Sequence, residues 1–82
     1  MAAGTIRYWA AARAAAGTAE EPWDASTLGE VLDAAAVRHG AALVRVFGAA
    51  SFLVDGVRTG RDAVLADGST VEVLPPFAGG SR

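Results

Sequence analysis

The sequence predicts an α+β domain in which a small mixed sheet is covered on one face by a helix. Three observations support this fold class: a chain of 82 residues, one clearly amphipathic helical segment near its middle, and strand-like segments on both sides of that helix. A chain of this length can form one modest core and has no room for a second. Because one amphipathic helix can cover only one face of a sheet, a two-layer domain is expected.

The first part of the chain predicts two strands joined by a short helix. Residues 5–10 alternate β-branched or aromatic residues with polar ones, which is typical of a strand. Residues 11–17 are rich in alanine and end in glycine, as a short helix does. Residues 18–23 predict a strand that returns beside the first, and Pro22 favours a position at the sheet edge.

The clearest element is a helix over residues 27–39. Thr27 and Glu30 have the spacing of a capping box. Gly40 provides the stop, and His39 in the last turn is explained by the helix dipole. Apolar residues recur on one face at helical spacing: Leu28, Val31, Leu32 and Ala35.

The remaining chain predicts two or three strands. Residues 41–48 fit either a short helix or an irregular packed segment, and periodicity does not decide between them. Asp55-Gly56 and Asp67-Gly68 are turn signals, and residues 70–74 form a strong strand pattern after the second turn. The order strand, strand, helix and further strands is typical of a ubiquitin-like β-grasp.

Composition excludes several classes of function. The net charge is −2 without a basic stripe, so a nucleic-acid partner is not expected. The chain has no cysteine, no membrane-length apolar stretch and no export signal, which together predict a cytoplasmic protein without a membrane partner. No metal site and no set of nucleophile, base and orienting group is evident, so the chain is not predicted to be an enzyme. Glu20 and Glu21 are predicted to form a solvated strand end.

The sequence of the C-terminal segment predicts a stiff extended part followed by a narrow end without side chains. Leu74 precedes a proline and is therefore held in extended backbone, while Pro75 and Pro76 favour polyproline II. Gly79 and Gly80 have no side chains, so the backbone there can enter a narrow channel. Such a segment suits insertion into the active site of another protein.

We therefore divide the chain into a β-grasp domain, residues 1–76, and a flexible tail, residues 77–82. Strand alternation places Val71 and Val73 on one face and Leu74 on the other.

If the helix covers the valine face, Leu74 and Trp9 stay exposed beside the tail, and Phe77 extends this apolar docking patch. Packing of these residues in the core is the alternative, because a register shift of one residue would exchange the two faces.

Three stretches resemble the MoaD/ThiS family of β-grasp sulfur carriers, and most closely the small subunit of molybdopterin synthase. They are RYWAAARAAAG at residues 7–17, the helix capped by Thr27, and LADGSTVEVLPPFAGG at residues 65–80. The resemblance covers nearly the whole chain, and Pro-Pro followed by Gly-Gly after a strand and an Asp-Gly turn is its most specific part.

The resemblance implies that the carboxylate of Gly80 is the reactive group. It would be activated with ATP by an E1-like adenylyltransferase and converted to a thiocarboxylate with sulfur from a persulfide. The thiocarboxylate would then enter the large catalytic subunit of molybdopterin synthase and donate sulfur to the pterin precursor. Gly79 would belong to the reactive end together with Gly80. The residues that would contact the partner proteins are Leu74, Pro75, Pro76, Phe77 and Trp9. The chain itself would bind no cofactor.

The chain departs from the family pattern because Ser81 and Arg82 follow Gly80. Removal by a peptidase, an addition made during cloning and loss of carrier function all account for these residues, and we favour removal. Other functions also stay open: a sulfur carrier for thiamine, cysteine or a sulfur-containing natural product, or a non-catalytic ubiquitin-like binding module.

Overall fold

The computed structural model describes residues 1–76, so the predictions for the tail, including Phe77, Gly79 and Gly80, lie outside the described residues. The elements follow in the order β1 (Ala2–Tyr8), α1 (Ala10–Ala16), β2 (Glu20–Ala25), α2 (Leu28–His39), α3 (Ala41–Phe47), β3 (Ser51–Val54), β4 (Val57–Arg58) and β5 (Thr70–Leu74). No helix among these residues is long and apolar enough to cross a membrane.

The strands form one mixed sheet in the order β2-β1-β5-β3-β4. The central pair, β1 and β5, is parallel, and the other three pairs are antiparallel. All three helices contribute buried residues to one core on a single face of this sheet, with α2 as the longest. The predicted α+β class and the β-grasp architecture are confirmed. Three helices of the described residues, instead of the one predicted, cover the face of the sheet.

Local signals explain how the helices begin and end. Thr27 caps α2, because its Oγ1 accepts a hydrogen bond from the Glu30 backbone N–H at 3.3 Å. The return bond of the predicted capping box is shifted by one residue, since the Glu30 carboxylate accepts from the backbone N–H of Ser26 at 2.8 Å. Gly17 ends α1 with a φ of 75°, a left-handed conformation that glycine adopts at little cost.

The segment that periodicity left open is helix α3. Gly40, with a φ of 86°, ends α2 and directly precedes α3, so this one residue interrupts the helical backbone between the two helices. Leu43 is fully buried, and Val46 and Phe47 pack partly against the core. Tertiary packing of these apolar side chains, which a short window of sequence does not reveal, explains the helix.

The predicted Asp55-Gly56 turn joins β3 to β4. Both residues have positive φ, 51° and 83°, as a two-residue hairpin turn of type I′ requires. The Asp55 carboxylate also accepts hydrogen bonds from the Thr70 backbone N–H at 2.9 Å and the Ser69 hydroxyl at 2.8 Å, which lower its pKa. This turn therefore fastens the start of β5, the strand that leads to the tail.

Trp23 closes the core at the end of the sheet opposite the tail. Its indole N–H is shared between the carbonyl oxygens of Thr5 and Ser69, each at 3.1 Å, and the residue is 4% exposed. The ring lies over Gly4, where any Cβ would meet the indole. Gly4 is therefore required by close packing of β1, Trp23 and the segment before β5.

Candidate functional site

The chain leaves the domain at the end of its central strand. Strand β5 ends at Leu74, which lies opposite Ser51 of β3. On the other side the backbone N–H of Trp9 donates to the Val73 carbonyl at 3.2 Å. Because β1 and β5 are parallel, their C-terminal ends lie at the same end of the sheet, and residues beyond Leu74 depart beside Trp9.

The predicted division of the two sheet faces is confirmed. Val71 and Val73 are fully buried under the helices, whereas Leu74 is half-buried on the other face. We call this second face, which no helix of residues 1–76 covers, the open face. Trp9 is 43% exposed, so an aromatic and an aliphatic side chain stand together where the chain exits.

The two prolines differ in their surroundings. Pro75 is buried, so its ring belongs to the domain and anchors the base of the tail. Pro76 is exposed and is the last described residue. Trp9 and Leu74, the described members of the predicted docking patch, are thus accessible beside the exit, and contact of these residues, Pro75 and Pro76 with a partner stays a prediction.

A carboxylate that the sequence did not single out holds Trp9 in place. The indole Nε1 of Trp9 donates to Oε2 of Glu72 at 3.1 Å. The next residue, Ala10, has a φ of 49°, a left-handed conformation that costs a non-glycine residue about 1 kcal/mol. Strained backbone of this kind persists only where surrounding contacts fix it, and the backbone bond of Trp9 to the Val73 carbonyl is such a contact on the preceding residue.

A shallow hollow of about 190 Å³ lies next to Trp9, between the end of β1 and the start of β2. Arg7 and Arg13 line it, and Arg7 is paired with Glu20 through Nε and Oε1 at 3.0 Å. These side chains make the surroundings of the exit polar on the β2 side, with Arg13 as the lining charge that has no ion pair among the described residues.

A second polar cluster lies beneath the same end of the sheet. Oε2 of Glu21 accepts hydrogen bonds from the Tyr8 hydroxyl at 2.6 Å and from Nη2 of Arg38 at 3.0 Å. Nε2 of His39 lies 2.7 Å from the same oxygen. The prediction that Glu21 belongs to a solvated strand end is therefore wrong, because these partners converge from β1 and α2, which are distant in sequence.

The Glu21 cluster predicts a specific acid sensitivity. Burial opposes ionisation of Glu21, but hydrogen bonds from Tyr8, Arg38 and His39 outweigh it and lower the pKa from 4.5 to about 2. A lowered carboxyl pKa stabilises the fold fully above pH 4.5, and the contribution is lost as pH falls through about 2. Glu21→Gln should thus cost up to about 3 kcal/mol of unfolding free energy at pH 7.

Urea unfolding at pH 7 and at pH 3 would measure this effect. The difference in unfolding free energy between the wild-type chain and Glu21→Gln should be smaller at pH 3 than at pH 7. Glu20→Gln is the matched control, because the pair of Glu20 with Arg7 is half exposed and should contribute less than about 1 kcal/mol. Equal losses of unfolding free energy for Glu21→Gln and Glu20→Gln at pH 7 would contradict the stabilising role of the Glu21 cluster.

Comparison with known proteins gives a family. The ThiS family model matches residues 6–80, and no curated protein matches the sequence significantly. Among solved structures, small archaeal modifier protein 1 from Haloferax volcanii has a TM-score of 0.83 and 27% identity, with 95% of this chain and 99% of that chain covered. The same protein from Methanosarcina acetivorans has a TM-score of 0.85 and 26% identity, with 98% of each chain covered.

A third similar structure is a complex of subunits 1 and 2 of molybdopterin-converting factor from Helicobacter pylori. Its TM-score is 0.69 at 19% identity, with 95% of this chain and 99% of that chain covered, a likeness that shows the fold alone. The family match, by contrast, extends over nearly the whole chain and includes the Gly-Gly pair. This chain therefore belongs to the ThiS family of sulfur carrier proteins with a ubiquitin-like fold.

Proposed function

We propose that this chain carries sulfur for molybdopterin biosynthesis on the carboxyl group of Gly80, after Ser81 and Arg82 have been removed. The observation that carries the proposal is the extent of the family match, which ends at Gly80 and leaves the last two residues outside. Removal of those residues by a peptidase would expose the glycine carboxylate on which the chemistry depends.

The first step would activate that carboxylate. A Gly80 carboxylate oxygen attacks the α-phosphorus of ATP on an E1-like adenylyltransferase, and pyrophosphate leaves. The resulting acyl-adenylate is a mixed anhydride, so its carbonyl carbon is open to nucleophiles that do not react with a free carboxylate. The chain contributes no acid or base to this step, only a main-chain carboxylate without a side chain beside it.

Sulfur would enter in the second step. The terminal sulfur of a persulfide attacks the acyl-adenylate and AMP leaves, giving an acyl disulfide. A second thiol of the donor protein then attacks the donor's own sulfur in this acyl disulfide. The sulfur–sulfur bond breaks, the donor is left with a disulfide, and the Gly80 thiocarboxylate is released. In the large subunit of molybdopterin synthase, the thiocarboxylate sulfur attacks a carbon of the pterin precursor and displaces an oxygen leaving group, which joins Gly80 to the pterin as a thioester. Water then cleaves the acyl–sulfur bond, so the sulfur stays on the pterin and Gly80 returns to a carboxylate.

Both partners would approach the end of the sheet where the chain exits. The exposed Trp9 and the half-buried Leu74 offer apolar surface beside that exit, and Glu72 accepts a hydrogen bond from the indole. Apolar patches of this kind on a small protein are typical of interaction sites. The complex of subunits 1 and 2 in Helicobacter pylori supports a large-subunit partner.

A second candidate is attachment of the chain to another protein. Two of the similar solved structures are described as modifier proteins, which favours this alternative. The same acyl-adenylate would then be attacked by an amine of the acceptor, with AMP as the leaving group and an amide as the product. The two functions therefore differ in the nucleophile that attacks the acyl-adenylate, a persulfide or an amine, and the fold is the same for both.

Deletion of the gene from its host would test the proposal. Molybdenum-enzyme activity should disappear and should return with the wild-type gene or with one that encodes a chain ending at Gly80. A gene encoding a chain that ends at Gly79 is the matched control and should not restore it. Normal molybdenum-enzyme activity with a new requirement for thiamine or cysteine would instead assign the carrier to another pathway.

A further inference from the structure

The open face carries a row of five side chains across the whole sheet, four of them charged. Strand register places Arg7 opposite Glu20 on one side and Glu72 on the other. Glu72 lies opposite Leu53, and Leu53 lies opposite Arg58 on the edge strand β4. Residues directly opposite each other on paired strands share a face, so these five side chains form one continuous row.

Most charges in this row already have partners within the domain. Arg7 pairs with Glu20 at 3.0 Å, and Glu72 accepts the indole hydrogen bond of Trp9 at 3.1 Å. Arg58 differs, because it is exposed and makes no ion pair within residues 1–76. The row therefore ends in one positive charge that no other described side chain neutralises.

Arg58 stands close to the exit of the tail. Neighbouring strands lie about 4.8 Å apart, so β4 is roughly 10 Å from β5 across the sheet. Between Arg58 and Glu72 lies Leu53, a half-buried apolar side chain that a protein docked over Leu74 and Trp9 would cover if it extended across β3. Exclusion of water over this leucine would strengthen an ion pair made by the neighbouring guanidinium.

We propose that Arg58 binds a carboxylate of the large catalytic subunit that receives the tail. Charge complementarity supports an acidic partner group, since Arg58 is unneutralised and a guanidinium matches a carboxylate with two parallel hydrogen bonds. Arg13 and Arg45 are also exposed without an ion pair among residues 1–76, but Arg58 is the one that the strand register places in this row, so an acidic group docked over the row would pair with it. The inference rests on the proposed function, which supplies the partner.

Charge reversal at Arg58 tests the inference with chains that end at Gly80. Titration calorimetry with the large subunit from the same genome should show roughly tenfold weaker binding for Arg58→Glu. Arg45→Glu is the matched control, because Arg45 is also exposed but lies on α3 on the helical side, and the affinity of this variant should change less than about threefold. The defect of Arg58→Glu should shrink as salt is raised, since screening weakens exposed charge pairs.

Thermal unfolding would confirm that both variants are folded, and Arg58→Gln, which removes the charge without reversing it, should give an intermediate loss of affinity. Equal affinities for Arg58→Glu, Arg45→Glu and the unsubstituted chain would overturn the role of Arg58 while leaving the proposed function intact. If the unsubstituted chain fails to bind the large subunit, the proposed function is wrong and the inference falls with it.

Discussion

A chain that ends at Gly80 is expected to form an acyl-adenylate with ATP on its E1-like adenylyltransferase, whereas the 82-residue chain is expected to form none. The reason is chemical: with Ser81 and Arg82 attached, the Gly80 carbonyl belongs to an amide and has no carboxylate oxygen to attack ATP. Pyrophosphate release and intact-mass detection of the AMP adduct would measure the reaction.

Two further chains control this experiment. A chain that ends at Ser81 separates the need for a terminal glycine from the need for any short terminus, and it should not react productively. A chain that ends at Gly79 tests the length of the tail and should react poorly because its carboxylate falls one residue short. Equal adenylation of the 82-residue and Gly80-terminated chains would contradict the proposed role of processing.

The second large effect concerns the fold that positions the tail. Gly4→Ala is expected to destabilise the domain by about 3 kcal/mol or more, as overpacking of a rigid core does. The new Cβ would overlap the Ser69 carbonyl oxygen and would lie 2.7 Å from the Trp23 ring. Neither group can move freely, because the Trp23 indole N–H is bonded to carbonyl oxygens on both sides.

Gly17→Ala is the matched control for that substitution. Gly17 also needs glycine, but for its φ of 75°, and nothing lies within 4 Å of an added Cβ there. We expect a cost of about 1 kcal/mol for the left-handed alanine. Urea unfolding of both variants measures the loss of unfolding free energy. A loss for Gly4→Ala no greater than that for Gly17→Ala would show that the contact with Trp23 can relax.

The elements that the sequence predicted well are those set by local chemistry. The cap of α2 at Thr27, the glycine after α1 and the turn at Asp55 each depend on residues within a few positions. Strand bounds were less accurate: β1 runs from Ala2 to Tyr8, earlier than predicted, so Trp9 lies outside it. Strand ends depend on pairing with distant segments, which local alternation does not contain.

Long-range pairing explains what the sequence could not predict. The parallel contact of β1 with β5 joins residues near opposite ends of the chain, and it brings Trp9 next to Glu72. The ion pairs of Glu21 likewise depend on how α2 crosses the sheet. Alternation along β5 did place Leu74 on the open face, because that inference needed only the strand's own two-residue period.

The most direct test of the carrier role is the mass of the protein isolated from its native host under non-reducing, rapid conditions. We predict a chain that has lost Ser81 and Arg82 and in which one oxygen is replaced by sulfur, with fragmentation locating the sulfur on Gly80. Recovery of only the full 82-residue chain, without sulfur, from cells that are making molybdenum cofactor would contradict the account.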